Sequence, residues 1–182
     1  MDEHIERVLI DTQEIKTIVA RLGDEITAHY RALETFDLIV VGLLRGSFVF
    51  AADLVRVINL PLIMDFMTVS SYGDETASTG NVKVVMDLDE SIEGKDVLMV
   101  EDIIDTGNTF AKVLRLMHHR RPRTLKICTF LNKPSRRLVD VPIDFCGRTI
   151  EDEFVCGYGL DFAQRYRNLP YVGVLSREVL EG

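Results

Sequence analysis

Three carboxylates stand close together at Glu101, Asp102 and Asp105, and Thr106, Gly107, Asn108 and Thr109 follow, all small or polar. A run of this kind at the start of a helix offers unpaired N–H groups and a positive dipole end, which suits a phosphate. Gly107 lets backbone approach an anion closely. Carboxylates repel phosphate, so Glu101 and Asp102 fit there if they meet hydroxyl groups or a neutralising cation. A sugar phosphate with free hydroxyls satisfies that chemistry, and so does Mg²⁺ held by carboxylates together with substrate phosphates. Asp105, the third acid, is a candidate proton acceptor. Spacing alone also permits a plain polar loop with solvated acids and a threonine cap.

The elements around this run are those that could position it. Val97 to Val100 is four apolar residues, a buried strand, with the acids in the turn beyond it. Phe110, Val113, Leu114 and Met117 recur at helical spacing and form one apolar face. The pattern is strand, acidic turn, helix, and in open α/β sheets the ligand crevice lies at the carboxyl ends of the strands. The pattern recurs earlier. Leu38 to Leu44 suits a strand buried on both faces, Arg45-Gly46-Ser47 is a turn, and Phe48 to Ile58 is amphipathic. Arg45 and the backbone N–H groups there make a second candidate anion site, or a plain β-α loop.

The rest of the chain supplies scaffold and rim. Asp11 with Glu14 resembles a capping box for a helix running to Tyr30. Leu62 to Val69 and Val82 to Leu88 read as strands flanking the small, polar stretch Ser71 to Asn81, a length typical of mobile lids. Asp89 to Asp96 is an acidic turn. Arg120, Arg121 and Arg123 read as solvated charges at a helix C-terminus, favoured by its dipole. Thr124 to Leu131 is a further strand, followed by Lys133 at the same rim as Glu101. Asp144 to Ile150 and Tyr171 to Leu175 are short strands. Phe154 lies just past a strand end, where an aromatic ring either stacks on a planar group or packs into the core.

Composition bounds the class. The 182 residues suit one domain, and 47% hydrophobic with 27% charged residues is ordinary for a globular protein. No run approaches the roughly 20 apolar residues that span a bilayer, and MDEHIERVLI lacks the basic start and apolar core of a signal peptide; the expectation is a cytoplasmic protein with no membrane partner. A net charge of −8 disfavours nucleic acid. Cys128, Cys146 and Cys156 are scattered, with no C-x-x-C, and read as reduced thiols. The four histidines show no zinc spacing.

The stretch from Val97 to Thr109 resembles the phosphoribosyl pyrophosphate (PRPP) signature of the type I phosphoribosyltransferases. That signature is an apolar strand, two acids, two apolar residues, Asp, Thr or Ser, Gly, one residue, then Thr, and every position matches. The similarity extends from the first helix to Leu175. It implies an α/β fold with a mostly parallel central sheet flanked by helices. The 182 residues would form one domain with a core over about 30–150, a small hood from both chain ends (about 1–15 and 150–182) and a lid over about 70–82. It implies that Glu101 and Asp102 meet the ribose hydroxyls directly or through Mg²⁺, and that Asp105 to Thr109 hold the 5-phosphate. It further implies that Arg45, Gly46 and Arg167 meet pyrophosphate, with a non-proline cis peptide at Leu44-Arg45, and that Ser71 and Tyr72 fold over the substrate. Lys133 would contact the exocyclic oxygen of a 6-oxopurine. Phe154 would stack on the base, the Val155 backbone would bond its edge, and Asp161 would lie beside it and hold Mg²⁺.

The pattern is nearest to bacterial hypoxanthine (hypoxanthine-guanine) members. It implies transfer of 5-phosphoribosyl from PRPP to N9 of hypoxanthine, guanine being used less well, with Asp105 taking the N7 proton. A homodimer or homotetramer is implied too. Two other readings share the pocket: a PRPP-sensing regulator without catalysis, and a sister enzyme preferring guanine or xanthine. Arg45 and Asn108 stand where some relatives carry lysine; Arg keeps the charge, whereas Asn108 removes one near the phosphate.

Overall fold

The computed structural model describes residues 4–70, 83–176, 178 and 179. A six-stranded sheet forms the body. It contains β2 (Leu38–Leu44), β3 (Leu62–Ser70), β4 (Lys83–Met86), β5 (Asp96–Ile104), β6 (Thr124–Asn132) and β7 (Phe145–Thr149), in the order β4-β3-β2-β5-β6-β7. All neighbours are parallel except β3 and β4. The continuous apolar runs of β2 and β5 follow from this, because parallel strands in the middle are covered on both sides. Side chains alternate along β5: Leu98 and Val100 pack with one core, Val97 and Met99 with the other.

Helices cover both faces. α1 (Thr12–Ala32) and α2 (Phe48–Val55) bury Leu22, Ile26, Tyr30, Phe50 and Leu54 on the first face. α3 (Asn108–His119) buries Phe110, Val113, Leu114 and Met117 on the second. Asp11 caps α1, its Oδ1 accepting from the N–H groups of Gln13 and Glu14 at 2.8 Å each. The box is not reciprocal, since the Glu14 carboxylate pairs with Arg148 instead. α2 stops at Val55 rather than Ile58.

A second, three-stranded sheet comes from both chain ends: β1 (Ile5–Ile10), β9 (Val172–Leu175) and β8 (Val155–Cys156), all antiparallel. Sequence patterning indicates neither β1 nor β8. The first is short and charge-bearing, and the second is two residues held by pairing with β9. Another difference matters more. β5 does not end at Val100; it runs on through Glu101 and Asp102 to Ile104 because β6 continues alongside, with Glu101 opposite Thr129 and Ile104 opposite Asn132. Both acids therefore sit on a strand rather than in a turn. None of the helices among the described residues is long and apolar enough to cross a membrane.

The arginines after α3 each pair with an acid earlier in the chain, Arg121 while remaining largely solvated. Arg120 binds Asp87 through two contacts of 2.7 and 2.9 Å, and Arg121 lies 2.8 Å from Glu93. Arg123 clamps Asp96, which is buried at the start of β5 and also accepts from Thr35 at 2.6 Å and Thr124 at 2.8 Å. Burial alone would raise the Asp96 pKa. The hydrogen bonds from Arg123, Thr35 and Thr124, with the Arg123 charge, outweigh it and hold the group down at about 2. A folded pKa below the unfolded ~3.9 gives stability that is full above pH ~4 and disappears as pH falls towards 2; the difference corresponds to roughly 2–3 kcal/mol. Urea unfolding of Asp96→Asn at pH 7 is expected to show a loss of at least roughly 2 kcal/mol, and the gap to the parent protein should narrow as pH drops below 4. A gap that is constant across pH refutes the assignment.

Candidate active site

At the carboxyl end of the sheet, β2 passes into its turn through a cis peptide between Leu44 and Arg45. Ser47 fixes the turn by donating from Oγ to the Leu43 carbonyl at 2.6 Å. Gly46 then lies against the neighbouring strand end. A Cβ at position 46 would stand 1.7 Å from Asp102 Oδ2, far inside any contact distance. On its other side is Gly159, with φ +100°, whose own Cβ would stand 2.3 Å from the Gly46 carbonyl oxygen. Three chain segments thus meet through two glycines.

The acids that follow are constrained locally. Glu101 Oε1 accepts from the Asp102 N–H at 3.0 Å, and Asp102 Oδ1 accepts from the Ile103 N–H at 2.9 Å. Burial, and then the adjacent Asp102 charge, pushes the Glu101 carboxyl well above its usual range. The cleft beyond has a volume of about 150 Å³ and is lined by Glu101, Ile103, Ile104, Asp105, Thr106, Gly107, Thr109 and Phe110. Gly107, at φ +82°, begins α3 with no side-chain cap, and the first turn carries no acid. Its missing side chain is required, since a Cβ would stand 2.5 Å from the Val139 carbonyl oxygen. This leaves an uncapped helix start open to an anion. Asn108 is exposed and does not line the cleft.

Asp105 is the least satisfied of the acids. Its Oδ1 is buried and has no hydrogen-bond partner, while Oδ2 lies 3.9 Å from Arg136. Asp105 lines the cleft with one carboxylate oxygen left without a partner, which makes it the acid there with hydrogen-bonding capacity to spare. The loop carrying it is tied by Arg137, which donates to the carbonyls of Asp105 at 2.9 Å and Ile104 at 3.1 Å and to Asn132 Oδ1 at 2.5 Å. The Thr106 carbonyl accepts from Leu138 and Val139. Sequence reasoning gives Arg137 no part; only its position in a basic run after β6 could have drawn attention to it.

The remaining candidates form two further groups. Lys133 is buried, only 5% exposed, and donates to the Glu153 carbonyl at 2.8 Å, with Asp152 Oδ1 at 3.8 Å. Phe154 is 45% exposed and meets Phe162 edge-on, centroids 5.5 Å apart, so it is a rim aromatic and not a core one. Val155 lies behind it, buried in β8. In the other group Arg167 binds Asp161 Oδ1 at 2.7 Å and the Gly159 carbonyl at 2.7 Å. Gln164, to which the sequence gives no signal, accepts from Arg45 at 3.1 Å and Arg167 at 3.3 Å. Glu101, Asp102 and Asp161 do not gather into one cluster; among the described residues no three acidic, histidine or cysteine side chains do. Ser71 and Tyr72 lie outside the described residues.

The fold and site define a class: an α/β domain that offers an uncapped helix start and paired acids to a phosphorylated ligand at the end of its parallel strands. The family of the phosphoribosyl transferase domain matches residues 9–163, and the chain belongs to it. It is 56% identical over 171 residues to a hypoxanthine phosphoribosyltransferase of Salmonella typhimurium, covering 94% of this chain and 96% of that one. It is 50% identical over 181 residues to a hypoxanthine-guanine phosphoribosyltransferase of Bacillus subtilis, covering 100% and 99%. A ternary substrates complex of a Trypanosoma cruzi hypoxanthine phosphoribosyltransferase variant superposes with a TM-score of 0.94 at 38% identity, covering 98% of this chain and 99% of that one.

The contact at Gly46 makes a sharp prediction. Gly46→Ala must displace Asp102 or the turn, and ångström-scale misplacement in a site of this kind costs about 10²-fold in rate. Phosphoribosyl transfer is expected to fall by at least that factor, while the circular dichroism spectrum is unchanged. Full activity would show that the close approach is dispensable.

Proposed function

We propose that this enzyme transfers the 5-phosphoribosyl group of PRPP to N9 of hypoxanthine, releasing pyrophosphate and giving IMP, with guanine a poorer substrate. The observation that carries the mechanism is Asp105, one of its oxygens unpartnered, lining a cleft that ends on an uncapped helix. The family membership and the relatives named above support the reaction.

In this reading the N–H groups and hydroxyls of Asp105 to Thr109 hold the 5-phosphate, and Glu101 and Asp102 accept the ribose hydroxyls. Arg45, the Gly46 backbone and Arg167 receive the pyrophosphate. Phe154 stacks on the purine, the Val155 backbone and Asp161 border its edge, and Lys133 Nζ meets its exocyclic oxygen. The bond from C1′ to the pyrophosphate oxygen breaks and the N9–C1′ bond forms. Positive charge gathers on the ribose meanwhile, and the acids at 101 and 102 stabilise it. Asp105 takes the N7 proton, so the base leaves as a neutral nucleotide ring.

The paired acids fit Mg²⁺. Burial and the neighbouring Asp102 charge raise the proton affinity of Glu101, a strain that a divalent cation would relieve, and Mg²⁺ takes only one or two protein carboxylates when substrate phosphates fill its shell. Glu101 and Asp102 would hold it on one side and Asp161 near the pyrophosphate. When bound it supplies Lewis-acid neutralisation of the leaving group.

The proposed setting is the cytoplasm and the proposed assembly a homodimer or homotetramer, which a monomeric sedimentation coefficient would refute. Asp105→Asn is expected to lower turnover by about 10²–10⁴ while PRPP binding persists. Near-normal turnover in that variant rejects the proton-acceptor role. Steady-state kinetics with hypoxanthine, guanine and xanthine should rank hypoxanthine first.

A further inference from the structure

Where the β2 turn meets residues 161–167, one neutral side chain joins two cations. Gln164 Oε1 accepts from Arg45 Nη1 at 3.1 Å and from Arg167 Nη2 at 3.3 Å. The backbone around it is held in an uncommon form. Ala163, Gln164 and Tyr166 all have positive φ, at 49°, 65° and 71°. The turn is fixed by the Gln164 N–H donating to Asp161 Oδ2 at 2.8 Å and by mutual backbone hydrogen bonds between Phe162 and Arg165. Residues 163–165 are exposed, so core packing does not demand the conformation of Ala163 and Gln164, whereas Tyr166 is buried beside Cys156 and Leu169. Non-glycine residues in the left-handed region persist where the surroundings over-determine them, and they cluster at ligand clamps.

Charge says what the clamp is for. Two guanidinium groups sharing one acceptor repel each other. A carboxylate at position 164 would draw them together but cancel a charge. With Arg45 and Arg167 positive and Asp161 negative, the group carries +1 around an amide and would carry none around a carboxylate. Arg45 commits one of its five donors to Gln164 and keeps the others for a ligand. We infer that Gln164 is a positioning residue that converges Arg45 and Arg167 on a diphosphate while leaving their positive charge uncancelled. This rests on the reading that the two arginines receive pyrophosphate.

The test compares Gln164→Ala and Gln164→Glu with the parent enzyme, using inhibition by inorganic pyrophosphate and KM for PRPP, beside kcat and KM for hypoxanthine. Hydrogen bonds to charged groups are worth enough for about a tenfold effect. Gln164→Ala is expected to weaken pyrophosphate inhibition and raise KM for PRPP by about that factor, with kcat within threefold or so and KM for hypoxanthine unchanged. Gln164→Glu should weaken both more than alanine does, because it removes the charge as well. A merely structural role would lower the thermal midpoint and move all parameters together. Unchanged pyrophosphate inhibition in Gln164→Ala, or parental affinity in Gln164→Glu, overturns the inference while the site reading stands. Absence of pyrophosphate inhibition in the parent enzyme overturns both.

Discussion

Asp102 packs its carboxylate against the turn after β2 because position 46 has no side chain. Its Oδ2 occupies the volume that any other residue at 46 would fill, and the Gly46 carbonyl in turn occupies the volume beside Gly159. The end of β2 is thereby brought against the Asp102 side chain of β5 on one side and the backbone of the loop after β8 on the other. Each carries a different part of the site: Arg45 on the first, the acid pair on the second, Asp161 and Arg167 on the third. Larger residues would push these segments apart by ångströms. Glycine serves here by its small volume at 46 and by its left-handed backbone at 159.

The two ends of the sheet handle charge in opposite ways. At the amino end Asp96 is buried, and both its oxygens are satisfied, by an arginine and two threonines, which lowers its proton affinity. At the carboxyl end Asp105 keeps a buried oxygen unpaired, and Glu101 has its proton affinity raised by burial and by Asp102. The first arrangement stabilises the fold. The second is unfavourable in isolation and would be relieved by a ligand with donors, protons or a bound cation to offer. One sheet thus separates a stabilising end from a reactive one, with apolar alternation in β2 and β5 between them.

Much of this was legible in the chain itself. The nine residues from Glu101 to Thr109 declare both a cleft and its chemistry, and the buried strands declare themselves as apolar runs. What stayed hidden depends on distant partners. The acids at 101 and 102 look like the start of a turn, because polar residues normally end a buried strand; here β6 extends alongside and carries β5 on. Arg120 and Arg123 look like solvated helix-end charges, because Asp87 and Asp96 lie 33 and 27 residues earlier. Lys133 alone looks like a surface lysine, yet a backbone carbonyl from residue 153 accepts from its buried ammonium. Gln164 leaves no trace, since its function comes from a left-handed backbone that no residue type there announces. Residue 108 was the opposite case: a lysine-to-asparagine difference looked consequential, but the side chain lies off the cleft.

The segment from 161 to 167 links two parts of the site that the sequence treats separately. Phe162 supports the exposed ring of Phe154 from the side, and two residues on, Gln164 gathers the arginines. Phe162 is itself bridged to Arg165 in the same turn. A shift of this strap therefore moves the aromatic platform and the guanidinium pair together. The three positive-φ residues restrict the strap to a narrow set of backbone shapes, so both groups keep their separation. Phe154 and the Arg45–Arg167 pair are consequently held by one strap, not by two independent loops.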